Sequence, residues 1–311
     1  MIRCTDEKET EMDNAKGLQK NKKSSTYIGM LYVTATYVFW GIQPIYWKQL
    51  ADISAIELIA NRIVWSFVFF MIILRLQKKT PLLKEAMRDR KKFYLTCLAG
   101  YLVSANWLIY IYAVNTGQIL ATSLGYYVCP LVSVVLGMIF LKERFNRLQM
   151  LAFGLACAGV AVVAVSYGNL PWIAVSLPLL FGVYGLFKKM IGYDAVVSMV
   201  IEIMAILPIG LAYLVYVEST GKGHLLTSGP YMLFMLLLTG VVTSLPLWWF
   251  AKGTSMVTLS TIGFMQFLSP TISLVMGVLL YKEPFTSVQL YSFGLIWAAI
   301  AVFIYTIIKK N

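Results

Sequence analysis

The chain has 311 residues, of which 59% fall in the set Ala, Val, Ile, Leu, Met, Phe, Trp, Tyr and Cys, only 13% are charged, and the formal net charge is +12. Soluble domains lie nearer half apolar and a quarter charged, so this balance excludes an ordinary cytosolic enzyme. Mean hydropathy is +0.74, and at roughly 20 apolar residues per helical span the chain has room for about ten spans.

Residues 1–26 are polar, with five acids from Asp6 to Asp13 followed by Lys16, Lys20, Lys22 and Lys23. They read as a solvated, disordered arm. The first apolar run, 27–47, is longer than a signal-peptide core and lacks a small-x-small cleavage site after it, so it is predicted to be an uncleaved span. Further spans are predicted over 56–74, 93–114, 119–141, 148–166, 172–187, 196–217, 230–250, 258–281 and 288–308. The sixth is the shortest and ends at Lys188 and Lys189.

Ten spans put 22 of the 26 Lys and Arg residues on one side and 3 (Lys48, Lys222 and Lys282) on the other, with Arg62 inside a span. Cytoplasmic loops carry such an excess, so the count predicts cytoplasmic termini. The basic residues sit in short runs between apolar segments and not on one face of a folded domain, so no nucleic-acid partner is expected. The four cysteines, Cys4, Cys97, Cys129 and Cys157, form no CxxC, and His224 is the only histidine. Neither a metal site, a disulfide framework nor His-based catalysis follows, and no cofactor is expected.

Shifting the chain by 140 residues lays 130–162 over 270–302 with 14 of 33 positions identical, among them Pro130/Pro270, Lys142/Lys282, Glu143/Glu283 and Gln149/Gln289. Apolar composition alone does not align a Lys-Glu pair, a Gln and a Pro. Upstream, a shift of 138 sets Ala113 over Ala251 and Gly125 over Gly263. The chain therefore reads as a tail, 1–26, and two five-span halves, 27–166 and 167–311. Five is odd, so the second half must cross the membrane in the opposite sense. Inverted repeats of this kind recur in transporters whose halves open a central site alternately to each side.

Several segments carry a family resemblance: Tyr37-Val-Phe-Trp-Gly-Ile-Gln-Pro with Lys48, Ala105-Asn-Trp-Leu, Ala113-Val-Asn, Ser123-Leu-Gly-Tyr-Tyr with Pro130-Leu, Phe140-Leu-Lys-Glu-Arg, Tyr184-Gly-Leu and Pro270-Thr. Over roughly 27–305 the chain resembles the RarD-type members of the EamA family, in the drug/metabolite transporter (DMT) superfamily. The resemblance implies an all-α integral membrane protein with ten transmembrane helices in two inverted EamA repeats. It also implies a permease of the bacterial inner membrane that exports or facilitates metabolites or drugs. The long charged tail is a departure from the family pattern.

Ionisable groups inside a span are costly and are functional candidates by default. Glu57 and Asn61 share a face of the second span. Arg62, five residues from Glu57, lies about 140° away around the helix and roughly 10 Å below its outer end, facing another helix or a water-filled cavity. It is a candidate anchor for an anionic or polar substrate, against a structural salt bridge. Glu202 sits in the seventh span, the repeat partner of the second. Glu57 and Glu202 could thus be alternately protonated, with the proton as candidate coupling ion.

Lys252 is expected at the interface, and the two Lys-Glu pairs are expected to be turn and topology devices. Pro130 and Pro270 are the candidate paired hinges. Gly137, Gly154, Ala158, Gly159, Gly277, Gly294 and Ala298 are expected to let helices approach closely. Trp40, Asn106, Trp107, Tyr126, Trp248 and Gln266 are placed toward a central cavity, mostly apolar with a few polar groups.

No GxxxxGK[ST] loop occurs, so energy must come from a gradient. The leading reading is a secondary transporter of small organic molecules, in the lipid bilayer, as a monomer or a homodimer, and not an enzyme. The alternatives are a non-transporting sensor or scaffold, or a multi-spanning membrane enzyme. The last would need a cluster of His, Asp, Glu or Arg at one membrane face, and none is visible.

Overall fold

The computed structural model describes residues 24–310 except Gly117, 169–171, Tyr281 and 283–285. The charged tail through residue 23, Cys4 and Glu283 lie outside the described residues. The described residues are helical, with no strand among them. A helix over 24–42 (α1) is followed by α2 (Pro44–Lys48), α3 (Ala55–Leu76), α4 (Thr80–Ala86), α5 (Arg90–Asn115), α6 (Ile119–Phe140), α7 (Arg147–Tyr167), α8 (Trp172–Ile191), α9 (Ala195–Ser219), α10 (Gly229–Met256), α11 (Leu259–Gln266), α12 (Leu268–Leu280) and α13 (Ser287–Lys310). Among the described residues, nine segments from α3 onward are long and apolar enough to cross a membrane, α11 and α12 together forming one of them. The apolar helix over 24–42 precedes them.

Local chemistry accounts for many of the boundaries. Pro44 opens α2 at a position where its missing N–H costs nothing. Asn146 and Gln149 form a capping box at the start of α7, the Asn146 side chain accepting from Gln149 N at 2.8 Å and Gln149 Oε1 accepting from Asn146 N at 3.0 Å. Thr286 and Gln289 repeat that arrangement before α13, at 3.3 and 2.8 Å. The repeated glutamine is thus a capping residue. Lys142 and Lys282 both take left-handed backbone, at φ 54° and 58°, so each turns the chain after a span.

The 140-residue offset extends upstream. Ser54 caps α3 and Asp194 caps α9 with the same backbone, φ −57°, ψ 138° and φ −53°, ψ 138°. Likewise α6 begins at Ile119 and α11 at Leu259. The 138 register suggested by Ala113/Ala251 and Gly125/Gly263 is therefore corrected: apolar and glycine matches are common enough in such helices to align by composition.

α3 and α9 pack together and run antiparallel. Lys79, just past the end of α3, pairs with Asp194 at the start of α9 at 2.7 Å. Glu57, in the first turn of α3, reaches His224 beyond the end of α9. α10 packs on α3 and α5 on α9, while α6 meets both α8 and α11, and α7 pairs with α13. Exchanging α3 with α9, α5 with α10, α6 with α11 and α7 with α13 returns the contacts of α3 with α9, of α10 with α3 and α5 with α9, of α6 with α11 and of α7 with α13, but not that of α6 with α8.

Backbones close up at Gly100 and Gly240, also 140 apart. A Cβ on Gly100 would lie 2.5 Å from Glu202 O, and one on Gly240 would lie 2.5 Å from Trp65 C. Gly137 and Gly159 also have near neighbours, at 2.9 Å. Gly154 and Gly294 have nothing within 4 Å, so the packing role expected of them is corrected. The sixth span is longer than expected, since α8 carries Lys188 and Lys189 within its last turn.

Candidate functional site

α3, α5, α9 and α10 enclose a narrow cavity with about 20 Å³ of room for water centres. A space of that size holds about one ordered water. Ten of its wall residues fall into five pairs 140 apart: Arg62/Glu202, Ile63/Ile203, Ser66/Ile206, Val103/Thr243 and Trp107/Leu247. Arg62 and Glu202 are each seven residues from the first residue of their antiparallel helices, about 10 Å along each axis. Aligning α3 with α9 by their caps sets Glu202 opposite Arg62. Glu57 falls opposite Val197, so the expected carboxylate pair is not a repeat pair.

Arg62 is half-buried. Its Nε donates to Thr243 Oγ1 at 3.0 Å, and its guanidinium carbon lies 4.3 Å from the ring centre of Trp107 and 4.8 Å from that of Trp47. Two indole faces offset part of the cost of holding a cation away from water. Trp47 comes from α2, which exists because Pro44 restarts the helix after α1. No carboxylate pairs with Arg62 among the described residues; the neighbouring ionisable groups acting on it are the phenols of Tyr126, Tyr110 and Tyr46.

Glu202 is buried and fully engaged. Oε1 pairs with Lys188 Nζ at 2.7 Å and accepts from Ser198 Oγ at 2.8 Å, and Oε2 accepts from Tyr184 OH at 3.2 Å. Lys188 Nζ also donates to Ser198 Oγ at 2.9 Å. In sequence, Lys188 looks like one of two inner-loop charges. The available signal is physical: a carboxylate in an apolar helix needs a cation, and α8 supplies one in its last turn. Its neighbour Lys189 donates to Val257 O.

The remaining sequence candidates separate. Glu57 does not line the cavity. Its Oε1 accepts from His224 N at 2.7 Å, and Oε2 lies 2.9 Å from His224 Nδ1. Asn61 donates to Glu57 O at 3.0 Å and accepts from Trp65 Nε1 at 3.1 Å, ties within α3 that hold Trp65. Asn106 donates to Leu177 O at 2.8 Å, fastening α5 to α8.

Trp107 lines the cavity, whereas Trp40 packs in an aromatic cluster with Tyr37, Phe181 and Phe250. Tyr126 lies beside Tyr110, with ring centres 5.9 Å apart. Trp248 has a buried Nε1 without a hydrogen-bond partner among the described residues and lies under the Lys252 ammonium, 4.6 Å from its ring centre. Gln266 accepts a long contact from Ser133 Oγ at 3.5 Å, between α11 and α6. The two prolines differ: α6 continues through Pro130, while the ninth span breaks at Phe267, between α11 and α12, three residues before Pro270.

Sequence reasoning also understated Glu143. Beyond the Lys142 turn, its Oε1 accepts from Leu259 N at 2.7 Å and its Oε2 from Ser260 N at 2.9 Å, with Ser260 Oγ donating as well. A carboxylate there satisfies amides left open by the first turn of α11 and complements the helix dipole. The end of α6 is thereby latched to the start of α11. Among the described residues, no group of three or more His, Cys, Asp or Glu could hold a metal ion.

The model of the EamA-like transporter family matches residues 27–165. A Bacillus subtilis protein named uncharacterized transporter YojE is 40% identical over 92% of this chain and 96% of its own length. Protein RarD of Salmonella typhi is 38% identical over 91% of this chain and 97% of its own. A protein crystal structure with 14% sequence identity superposes with a TM-score of 0.67, covering 90% of this chain and 96% of that one, a likeness of fold.

Proposed function

The chain belongs to the EamA-like transporter family, and on that premise we propose that it is a secondary carrier of small organic metabolites or drugs, exporting them by alternating access through the cavity between α3, α5, α9 and α10. It is a multi-pass protein of the bacterial cell membrane. The observation carrying the proposal is the wall of the cavity, where five residue pairs keep one offset of 140 across two antiparallel helices and their neighbours. A pseudo-twofold axis through a central site lets two related conformations open it to opposite faces. The unequal helices at Pro130 and Pro270 support the same reading, since two halves that exchange shapes differ in any one conformation.

The two halves are taken as 27–166 and 167–311, with both termini cytoplasmic, as the excess of Lys and Arg favours. The carboxylate contacts are then latches on opposite faces: Glu57 on His224 outside, and Glu143 on the start of α11 inside. Among the described residues, the cavity wall offers a coupled proton one carboxylate, Glu202, and taking it would break the pair with Lys188.

Counterflow in proteoliposomes loaded with a metabolite mixture, with and without a pH gradient, tests the carrier reading. Accumulation of a compound by the wild type, with the gradient dependence altered in Glu202→Gln, is expected. Failure of every compound to move would count against transport, and a gradient response equal in both proteins would remove Glu202 from the coupling.

A further inference from the structure

We propose that the cargo is a carboxylate-bearing organic monoanion with an apolar body, its carboxylate held by Arg62 and its body by the indoles of Trp47 and Trp107. The inference rests on the carrier reading, since it takes this cavity to be the cargo site.

The charge inventory carries it. Arg62 has five N–H donors, and Nε uses one of them on Thr243. The two terminal nitrogens have no acceptor among the described residues, and the two indoles beside the guanidinium offer π faces only. Glu202, the carboxylate lining the same cavity, is neutralised by Lys188 and further held by Ser198 and Tyr184. Among the described residues the cavity thus keeps one uncompensated positive charge, on a group whose planar fork matches a carboxylate in bidentate fashion. A single negative charge balances it. A neutral molecule leaves it open, and a dianion leaves one negative charge in excess in a medium where unpaired charge is costly.

The flanking groups fit the rest of such a molecule. Trp47 and Trp107 present flat apolar surface, and the phenols of Tyr110 and Tyr126, which act on the charge of Arg62, can donate to a second carboxylate oxygen or to a polar substituent. The 20 Å³ of room does not admit such a molecule as it stands. Binding therefore requires the halves to part, which is the movement that alternating access supplies.

The test uses the purified full chain and labelled 3-phenylpropionate, its neutral amide, and the dianion phenylsuccinate, with a panel of other aromatic and aliphatic monocarboxylates. The acid is expected to bind about tenfold or more tighter than the amide, in line with a charge-assisted bidentate contact. Arg62→Gln should erase the preference, and Arg62→Lys should keep it in weaker form.

Equal binding of acid and amide, a stronger hold on the dianion, or no binding by any monocarboxylate would overturn the inference. So would a preference that survives in a natively eluting Arg62→Gln. If that variant does not fold, the wild-type comparison of acid with amide and Arg62→Lys still decide. Counterflow with the same compounds separates the two readings. Exchange of amide as fast as acid leaves a carrier without this selectivity, and Arg62-dependent binding of the acid without exchange of anything leaves an anion site without a carrier.

Discussion

Arg62 and Glu202 occupy equivalent positions of two antiparallel helices, 140 residues apart, and face one cavity with opposite charges. They are not an ion pair. Arg62 lies against two indoles and on Thr243, whereas Glu202 is closed off by Lys188, Ser198 and Tyr184. A duplicated backbone thus carries unlike chemistry at its two matching points: one charge is paired with Lys188, and the other has no carboxylate partner among the described residues.

The Lys188–Glu202 pair should respond as a buried unit. Removing one partner leaves an uncompensated charge, which costs about 3–5 kcal/mol, while replacing both by apolar groups of similar volume is near neutral. Lys188→Met or Glu202→Leu alone should lower the melting temperature sharply, and the double variant should recover most of the loss. A double-mutant cycle from thermal melts measures it. Additive losses would mean that the two side chains do not depend on each other.

Gly100 and Gly240 should both resist alanine. Each would push a Cβ to 2.5 Å from a backbone atom of the facing helix, Glu202 O or Trp65 C, where no flexible side chain can give way. Overpacking of this kind costs about 1–3 kcal/mol. Gly154→Ala is the matched control, because it meets nothing within 4 Å and removes a glycine from a helix interior. It should stabilise by roughly 0.5–1 kcal/mol. Melting curves of the three single variants provide the check.

The helices were readable because a run long enough to span a bilayer is written in composition alone, whereas the start signals at Pro44 and Asn146 emerge only with the structure. The site was only half readable. Arg62 stood out as a charge in an apolar run, but its cage combines Trp47 from a short helix that the sequence reading merged into the first span with Trp107 from α5. Lys188 resembled a loop charge because it adjoins Lys189 at a span end. Glu57 looked like a cavity carboxylate because its partner, His224, lies 167 residues away in a polar loop. In each case the deciding contact joins residues that local sequence pattern does not connect.

Glu143 should matter to the joining of α6 and α11 out of proportion to its position in a loop. Glu143→Gln keeps one carbonyl oxygen but loses the second acceptor and the charge, so at least one of the Leu259 and Ser260 amides is left without its partner. The cost expected for a charge-assisted hydrogen bond is about 1.5–3 kcal/mol. Hydrogen exchange should quicken at Leu259 and Ser260 while amides in the middle of α9 keep their protection. Unchanged exchange at those two amides would show that the latch contributes nothing to holding α11.

Pro270 supplies the sharpest difference between the two halves. Lacking an N–H, it leaves Gln266 O without its helical donor, and α11 ends at Gln266; bonding resumes with Thr271 N donating to Phe267 O at 3.2 Å. Pro130 frees the Tyr126 carbonyl in the same way, yet α6 runs on unbroken. The proline therefore permits a break without forcing one, which is the property that a hinge used in both halves requires. Pro270→Ala restores the missing donor and should favour a continuous helix over 259–280, raising the melting temperature. It should also slow counterflow, because the straight form is then held too firmly to be exchanged for the bent one. Pro130→Ala gives the Tyr126 carbonyl its donor within a helix that is already continuous, so it too should raise the melting temperature, and it should slow counterflow by keeping α6 unbroken. Both variants exchanging substrate at the wild-type rate would mean that neither proline is a hinge.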